Sequence, residues 1–109
     1  MGFKGDKLTN IAEQKASEIT DRLSSVGNIT SNKMFGGFAF SHNDQMFGII
    51  DPEGTFYLKA DGALCKALLG AGGSKHGSMP YYSIPKELEA SDEKMLALVN
   101  MAISDLKKS

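Results

Sequence analysis

The feature that most constrains the fold is a change in hydrophobic spacing near residue 28. Before this point apolar side chains recur every three or four residues, the period of an amphipathic helix. After it, apolar and polar or glycine residues alternate, which is the period of a β-strand. The chain must therefore combine a long helix with a sheet. The helical stripe comprises Leu8, Ile11, Ala12, Ala16, Ile19, Leu23 and Val26.

The alternating region predicts three strands joined by tight turns, an antiparallel meander. The first runs from Ile29 through Phe40 and the second covers residues 46–50, with the turn Ser41-His42-Asn43-Asp44 between them. Residues 51–54 (DPEG) fit a type I turn and lead to the third strand, residues 55–59. In the first strand we expect Met34, Gly36, Phe38 and Phe40 on one face, and Phe35, Gly37 and Ala39 on the other.

The second half of the chain predicts two more helices and one or two strands. Asp61 can cap a short helix that ends at the glycines of residues 70–73, and Ser91 can cap a last helix. Residues 80–85 read as a strand between prolines, which belongs at a sheet edge or at strand ends. Residues 74–79 fit either a short edge strand or a loop. The expected order, α-β-β-β-α-β-β-α, is a two-layer α+β domain with an antiparallel sheet of about five strands and three helices.

Length and composition indicate one soluble domain. We expect 109 residues to form a single domain, residues 1–109, with a core of about residues 8–107. No apolar run is long enough to span a membrane and no signal peptide is recognisable, so a cytoplasmic location is expected. The single cysteine, Cys65, excludes an internal disulfide and a cysteine-based zinc site. A net charge of −1 argues against a module that grips DNA by itself.

No catalytic or cofactor motif is assembled along the chain. The glycine-rich residues 70–75 follow a predicted helix and match neither phosphate-binding pattern, so they indicate a helix stop and loop. The two histidines, His42 and His76, fall in turn or loop contexts. We therefore expect no enzymatic activity, no catalytic residue, no metal and no cofactor. An open alternative is a small-ligand or enzymatic pocket near Gly36, Gly37, His42 and His76.

Two segments stand out as candidates for contact with a partner. Adjacent glycines inside a strand indicate a bulge, a bend or close approach of a backbone, which could be the protein's own or that of a partner or ligand. Methionine, proline and tyrosine next to one another on an edge suit protein contact, although they could also simply close the core. The candidate residues are Met34, Phe35, Gly36, Gly37, Met79, Pro80, Tyr81 and Tyr82.

Four segments in succession resemble the N-terminal domain of the TfoX/Sxy family. They are residues 34–40 (MFGGFAF), 45–50 (QMFGII), 56–61 (FYLKAD) and 78–85 (SMPYYSIP). Each segment alone is weak evidence, but four segments in the order and spacing of the family are specific for it. The resemblance covers about residues 8–107. The chain departs from the family pattern at Gly48, where a small alanine is usual, and in the divergent segment before MPYY.

The resemblance implies a fold similar to secretion chaperones and a non-enzymatic bacterial regulator of natural competence, the uptake of DNA. Family members co-activate transcription with the cyclic-AMP receptor protein, so the implied partner is a protein of the transcription machinery, with DNA contacted indirectly if at all. Full-length members often carry a C-terminal domain, for which we expect no room here. A homodimer and direct DNA binding stay open, the latter through Lys4, Lys7, Lys15, Arg22 and Lys33.

Overall fold

The computed structural model describes residues 6–34 and 36–108, and their side chains from Ile11 to Leu106. These residues form two compact units, one ending at Phe56 and the other beginning at Tyr57. None of the helices in the described ranges combines the length and apolar character needed to cross a membrane. In chain order the elements are α1 (Asp6–Arg22), β1 (Ile29–Met34), β2 (Gly37–His42), β3 (Gln45–Ile50), β4 (Phe56–Lys59), α2 (Gly62–Gly70), β5 (Tyr81–Ser83), α3 (Lys86–Glu89) and α4 (Asp92–Lys108).

The strands form one antiparallel sheet in the order β1-β2-β3-β4-β5, which confirms the α+β class and the five strands expected. Their distribution differs from the expected order, since four strands precede α2 and one follows it. The additional short helix α3 was not predicted. Its four residues carry no buried side chain, so they leave no apolar stripe in the sequence.

The strand predicted to run from Ile29 through Phe40 is two strands. Met34 ends β1 and pairs with Gly37, which begins β2, so the chain reverses between these two residues. Gly36 has a φ of +80°, a left-handed value that glycine adopts without a steric cost. The expected sharing of one face by Met34, Gly36 and Phe38 is therefore wrong, because a turn interrupts the alternation. The predicted face of Phe35 lies outside the described residues.

In the first unit, α1 packs on β2 and β3 through the predicted stripe. Ala12, Ala16, Ile19 and Leu23 are buried, whereas Ile11 stays 45% exposed. Beneath them the ring of Phe40 lies 6.5 Å from that of Phe47 and 5.8 Å from that of Phe56, in the tilted geometry that aromatic pairs prefer. This cluster joins β2, β3 and the start of β4.

Both predicted turns of the first unit form. The backbone N–H of Gly54 donates to the carbonyl of Asp51 at 2.9 Å, and the Asp51 carboxylate accepts from the N–H groups of Glu53 and Thr55. The β2–β3 turn places Asn43 and Asp44 at φ values of 51° and 68°. Two positive φ values in a two-residue hairpin loop are characteristic of a type I′ turn.

In the second unit, α2 packs against β5 and α4, and α3 packs against α4. Asp61 occupies the N-cap position of α2, but its side chain makes no capping hydrogen bond. The Ser91 hydroxyl accepts from the N–H of Lys94, as expected for the cap of α4. The core of this unit includes Leu64, Leu68, Tyr81, Ile84, Met95, Val99, Ala102 and Ile103.

Residues 74–76 run beside β5 without forming a full strand. Lys75 makes an isolated antiparallel bridge with Tyr82, the N–H of His76 donates to the carbonyl of Tyr81, and the N–H of Ser83 donates to that of Ser74. The Ser83 hydroxyl also accepts from the N–H of Ser74 at 2.8 Å. The question left open at residues 74–79 is thus answered by a short ladder and a turn that cover the outer edge of β5.

Candidate functional site

The two candidate segments lie in different units. Met34, Gly36 and Gly37 belong to the β1–β2 hairpin of the first unit, and Phe35 lies outside the described residues. Residues 79–82 enter and form most of β5 in the second unit. Each segment therefore has to be judged by its own surroundings.

The glycines of the hairpin serve the protein's own packing. A Cβ on Gly37 would collide with the backbone carbonyl oxygen of Ile50, at the end of β3. A Cβ on Gly36 would lie 3.3 Å from Cγ of Pro52, and its φ is already left-handed. The close approach that the sequence indicated at Gly37 is made by the chain's own backbone. This accounts for the pair of glycines without a ligand.

The segment at residues 79–82 has an exposed half and an anchored half. Met79 is 39% exposed and Pro80 is exposed, while Tyr81 is only 4% exposed. The carbonyl of Pro80 accepts from the N–H of Ala60 at 3.0 Å, which pins the segment beside the end of β4. Burial raises the pKa of Tyr81 above 10.0, because an ionised phenolate loses its hydration there. Tyr81 is therefore part of the core, and the surface belongs to Met79 and Pro80.

Tyr82 points to the opposite face of β5 from Tyr81, and is half-buried. A hydrogen bond with the Cys65 side chain on α2, followed by burial, raises the pKa of the Tyr82 phenol. This contact ties β5 to α2 and gives the lone cysteine a structural neighbour.

His76 is held beside the same segment. Its ring stacks against Tyr57 of β4 with centroids 4.6 Å apart and planes tilted by 44°. Its carbonyl accepts from the N–H of Met79 at 3.1 Å, closing a turn through Gly77, which has a φ of +59°. The turn thus leads into Met79 and Pro80 from a histidine that contacts β4.

A groove beside Pro80 was not anticipated from the sequence. It has a volume of about 220 Å³ and lies among the end of β4, Pro80 and the last turns of α4. A neighbouring hollow of about 370 Å³ adjoins the first turn of α2 and includes Met101, which is 40% exposed. Met101 lies outside the buried apolar stripe of α4, which includes Met95, Val99 and Ala102. A methionine off this stripe was the only sequence feature that could have indicated the hollow. Asp61 and Asp105 border both hollows, and the first is lined by Lys59, Ala60, Asp61, Pro80, Ala102, Asp105 and Leu106.

Within the first unit, the residues considered for a small-ligand pocket are spread apart. Gly37 begins β2 and His42 ends it, so they are separated by roughly 17 Å of strand. Within the described residues no group of three His, Cys, Asp or Glu side chains could hold a metal ion. Of the cations considered for DNA, Arg22 pairs with Glu18 at 3.2 Å, Lys33 is exposed on β1, and Lys4 and the side chain of Lys7 lie outside the described residues.

The comparison with known families agrees with the motifs. The family model described as TfoX N-terminal domain matches residues 21–106, which include all five strands and most of α4. None of the curated proteins matches the chain. The matched range contains both the β1–β2 hairpin and the segment at residues 79–82.

Proposed function

Because the chain belongs to the TfoX N-terminal domain family, we propose that it is a non-enzymatic regulatory domain of natural competence in a bacterial cytoplasm. It acts as a co-activator of transcription through contact with a protein of the transcription machinery, for which the cyclic-AMP receptor protein is the first candidate. The family match over residues 21–106 is the observation that carries the proposal.

The surface chemistry of the second unit supports contact with a protein. Met79 and Pro80 are apolar and exposed, each makes a backbone hydrogen bond, and Pro80 borders the groove along α4. Interfaces favour methionine and aromatic side chains at their centre with a polar rim. Here Lys59, Asp61 and Asp105 provide polar groups around the groove. We place the contact on the surface formed by Met79, Pro80 and this groove, which we call the Pro80 surface.

The experiment is a fluorescence titration of labelled competence-promoter DNA with the chain, with and without pre-bound cyclic-AMP receptor protein. We expect a saturable change only when the receptor is present. Met79→Ala combined with Pro80→Ala should weaken it at least tenfold if the pair is the energetic centre of the contact, since truncating such a central residue costs about 2 kcal/mol or more. Tyr81 is unsuitable for this test, because removing a buried aromatic ring would cost about 3–5 kcal/mol of stability.

Leu69→Ala is the matched control, because Leu69 is 47% exposed on α2 of the same unit and lines neither hollow. It should leave the titration unchanged. Equal effects of the control and the double variant would remove the Pro80 surface from the proposal. No response to the receptor at all, with circular dichroism showing a folded chain, would reject the co-activator function itself.

A further inference from the structure

The β1 strand (Ile29–Met34) is exposed on both faces and along one edge. Thr30, Ser31, Asn32 and Lys33 are all exposed, and only the terminal Ile29 and Met34 are half-buried. Within the described residues β1 pairs with β2 alone and stands at the end of the sheet. A strand with so little of its side-chain surface covered contributes little to the core, and within the described residues its outer backbone edge is available for pairing.

The two edges of the sheet are treated differently. At the β5 edge, residues 74–76 occupy the outer hydrogen-bonding groups, and Pro80 and Pro85 flank the strand. These are recognised devices that prevent a sheet from pairing with another chain. The β1 edge has no proline and its pairing with β2 contains no register shift. Lys33 is its one charged residue, and within the described residues no segment pairs with the outer side of this edge.

The register of the hairpin determines which backbone groups the open edge offers. The N–H of Asn43 donates to the carbonyl of Asn28, and Met34 pairs with Gly37 beside the turn. Because hydrogen-bonding direction alternates along an antiparallel strand, residues 28, 30, 32 and 34 face β2. The N–H and C=O groups of Ile29, Ser31 and Lys33 therefore face outward.

We propose that the β1 edge pairs with the β1 edge of a second copy of this chain, antiparallel and with the two-fold axis at Ser31. In this register Ser31 meets Ser31 of the second copy and Ile29 meets its Lys33, so every outward-facing residue of β1 meets another outward-facing residue. Thr30 lies opposite Asn32 in the intervening pairs.

Charge and size favour this occupant. The Ser31 register keeps the two Lys33 backbone positions about 14 Å apart, beyond the screening length of about 8 Å at physiological salt. A register centred on Lys33 would instead place like charges side by side. In this register Ile29 of one copy lies against the aliphatic part of the Lys33 side chain of the other, and the Lys33 ammonium group can still reach water. One strand edge buries less than the ~800 Å² per partner of a standard interface, so we expect a weak dimer in the micromolar range or above.

The first test is sedimentation velocity of the full chain from about 10 µM to about 1 mM, a range that brackets such an affinity. We expect a reversible monomer–dimer equilibrium. Ser31→Pro removes an N–H that faces away from β2, so it should weaken the dimer at least tenfold while circular dichroism stays unchanged. Ser31→Thr, which keeps the N–H, should behave like the wild type. A chain that stays monomeric at the highest concentration overturns the proposal and leaves an extended segment of another protein as the occupant.

Two further measurements test the proposed register. They also keep the proposal testable if the Ser31→Pro variant does not fold. Ser31→Lys and Ser31→Glu should each be monomeric, and a mixture of the two should form a heterodimer. In a Cys65→Ser background, Ser31→Cys should form a disulfide-linked dimer on oxidation, because facing Cα atoms lie about 5.5 Å apart. Thr30→Cys should not, since its copies would lie beyond about 7 Å. Crosslinking at residue 30 but not at residue 31, or a dimer indifferent to charge at residue 31, would overturn the proposal.

Discussion

At the scale of single residues, the two glycines of the MFGG motif and the two tyrosines of the MPYY motif have distinct tasks. Gly36 supplies a left-handed φ at the hairpin turn, and Gly37 leaves room for the carbonyl of Ile50. Tyr81 enters the core, while Tyr82 is tied to Cys65. Adjacent residues of one motif thus act on different parts of the structure.

The packing of Gly37 can be tested by adding one methyl group. Gly37→Ala should lower the free energy of unfolding by about 1–3 kcal/mol, because the new Cβ meets the backbone at Ile50 and strand or carbonyl must move. Chemical denaturation measures the difference. Gly70→Ala is the control, since a Cβ there meets nothing within 4 Å, and alanine in a helix should be neutral or slightly stabilising. Equal stability of the Gly37→Ala variant and the wild type would contradict this account and reopen a ligand role for the bare backbone.

At the scale of secondary-structure elements, the turns decide where the sheet is divided. The β2–β3 hairpin holds two non-glycine residues, Asn43 and Asp44, at positive φ. The β1–β2 hairpin instead has Gly36 in its turn. A period-two pattern continues through such a turn with little interruption, which is why β1 and β2 read as one strand. The glycine pair was the local sign of the reversal.

The strain in the β2–β3 turn predicts a stabilising substitution. Asp44→Gly should raise the free energy of unfolding by about 0.5–1 kcal/mol, because glycine has no Cβ penalty at the second position of a type I′ turn. Thermal or chemical denaturation measures it. Asp44→Ala should lower stability by a similar amount, since alanine tolerates this φ less well than aspartate. Destabilisation by glycine would show that the Asp44 side chain contributes more than its backbone strain costs.

At the scale of the whole molecule, the dependence of binding on salt concentration distinguishes the regulatory function from direct DNA binding. The net charge is −1, and Arg22, one of the cations considered for DNA, is paired with Glu18. An apolar contact surface bordered by a few charges should respond weakly to ionic strength. A protein that neutralises many phosphates responds steeply instead.

We therefore expect the receptor-dependent titration to change by less than about threefold in affinity between 50 and 200 mM salt, once the salt dependence of the receptor on DNA alone is subtracted. A DNA-binding protein with several phosphate contacts would lose about 10³–10⁵-fold over the same range. The measurement is the same titration at four salt concentrations, with promoter DNA alone as a second arm. Saturable binding to DNA alone with a steep slope would favour direct DNA binding over the co-activator function.

The sequence by itself determined the α+β class, the long first and last helices, the Ser91 cap and both turns, because local periodicity and turn chemistry specify these features. The total of five strands agreed, but their division along the chain did not. The sequence also indicated the family, through four motifs in the order typical of that family. Only the tertiary structure decided that Ile29–Phe40 is a hairpin, that Tyr81 rather than Tyr82 is buried, and that Pro80 borders a groove. These depend on which segments meet across the sheet and which face a helix covers. Most of these contacts join residues far apart in the chain, where no local pattern records them; for the hairpin, the glycine pair was a local sign that did not by itself distinguish a reversal from a bend.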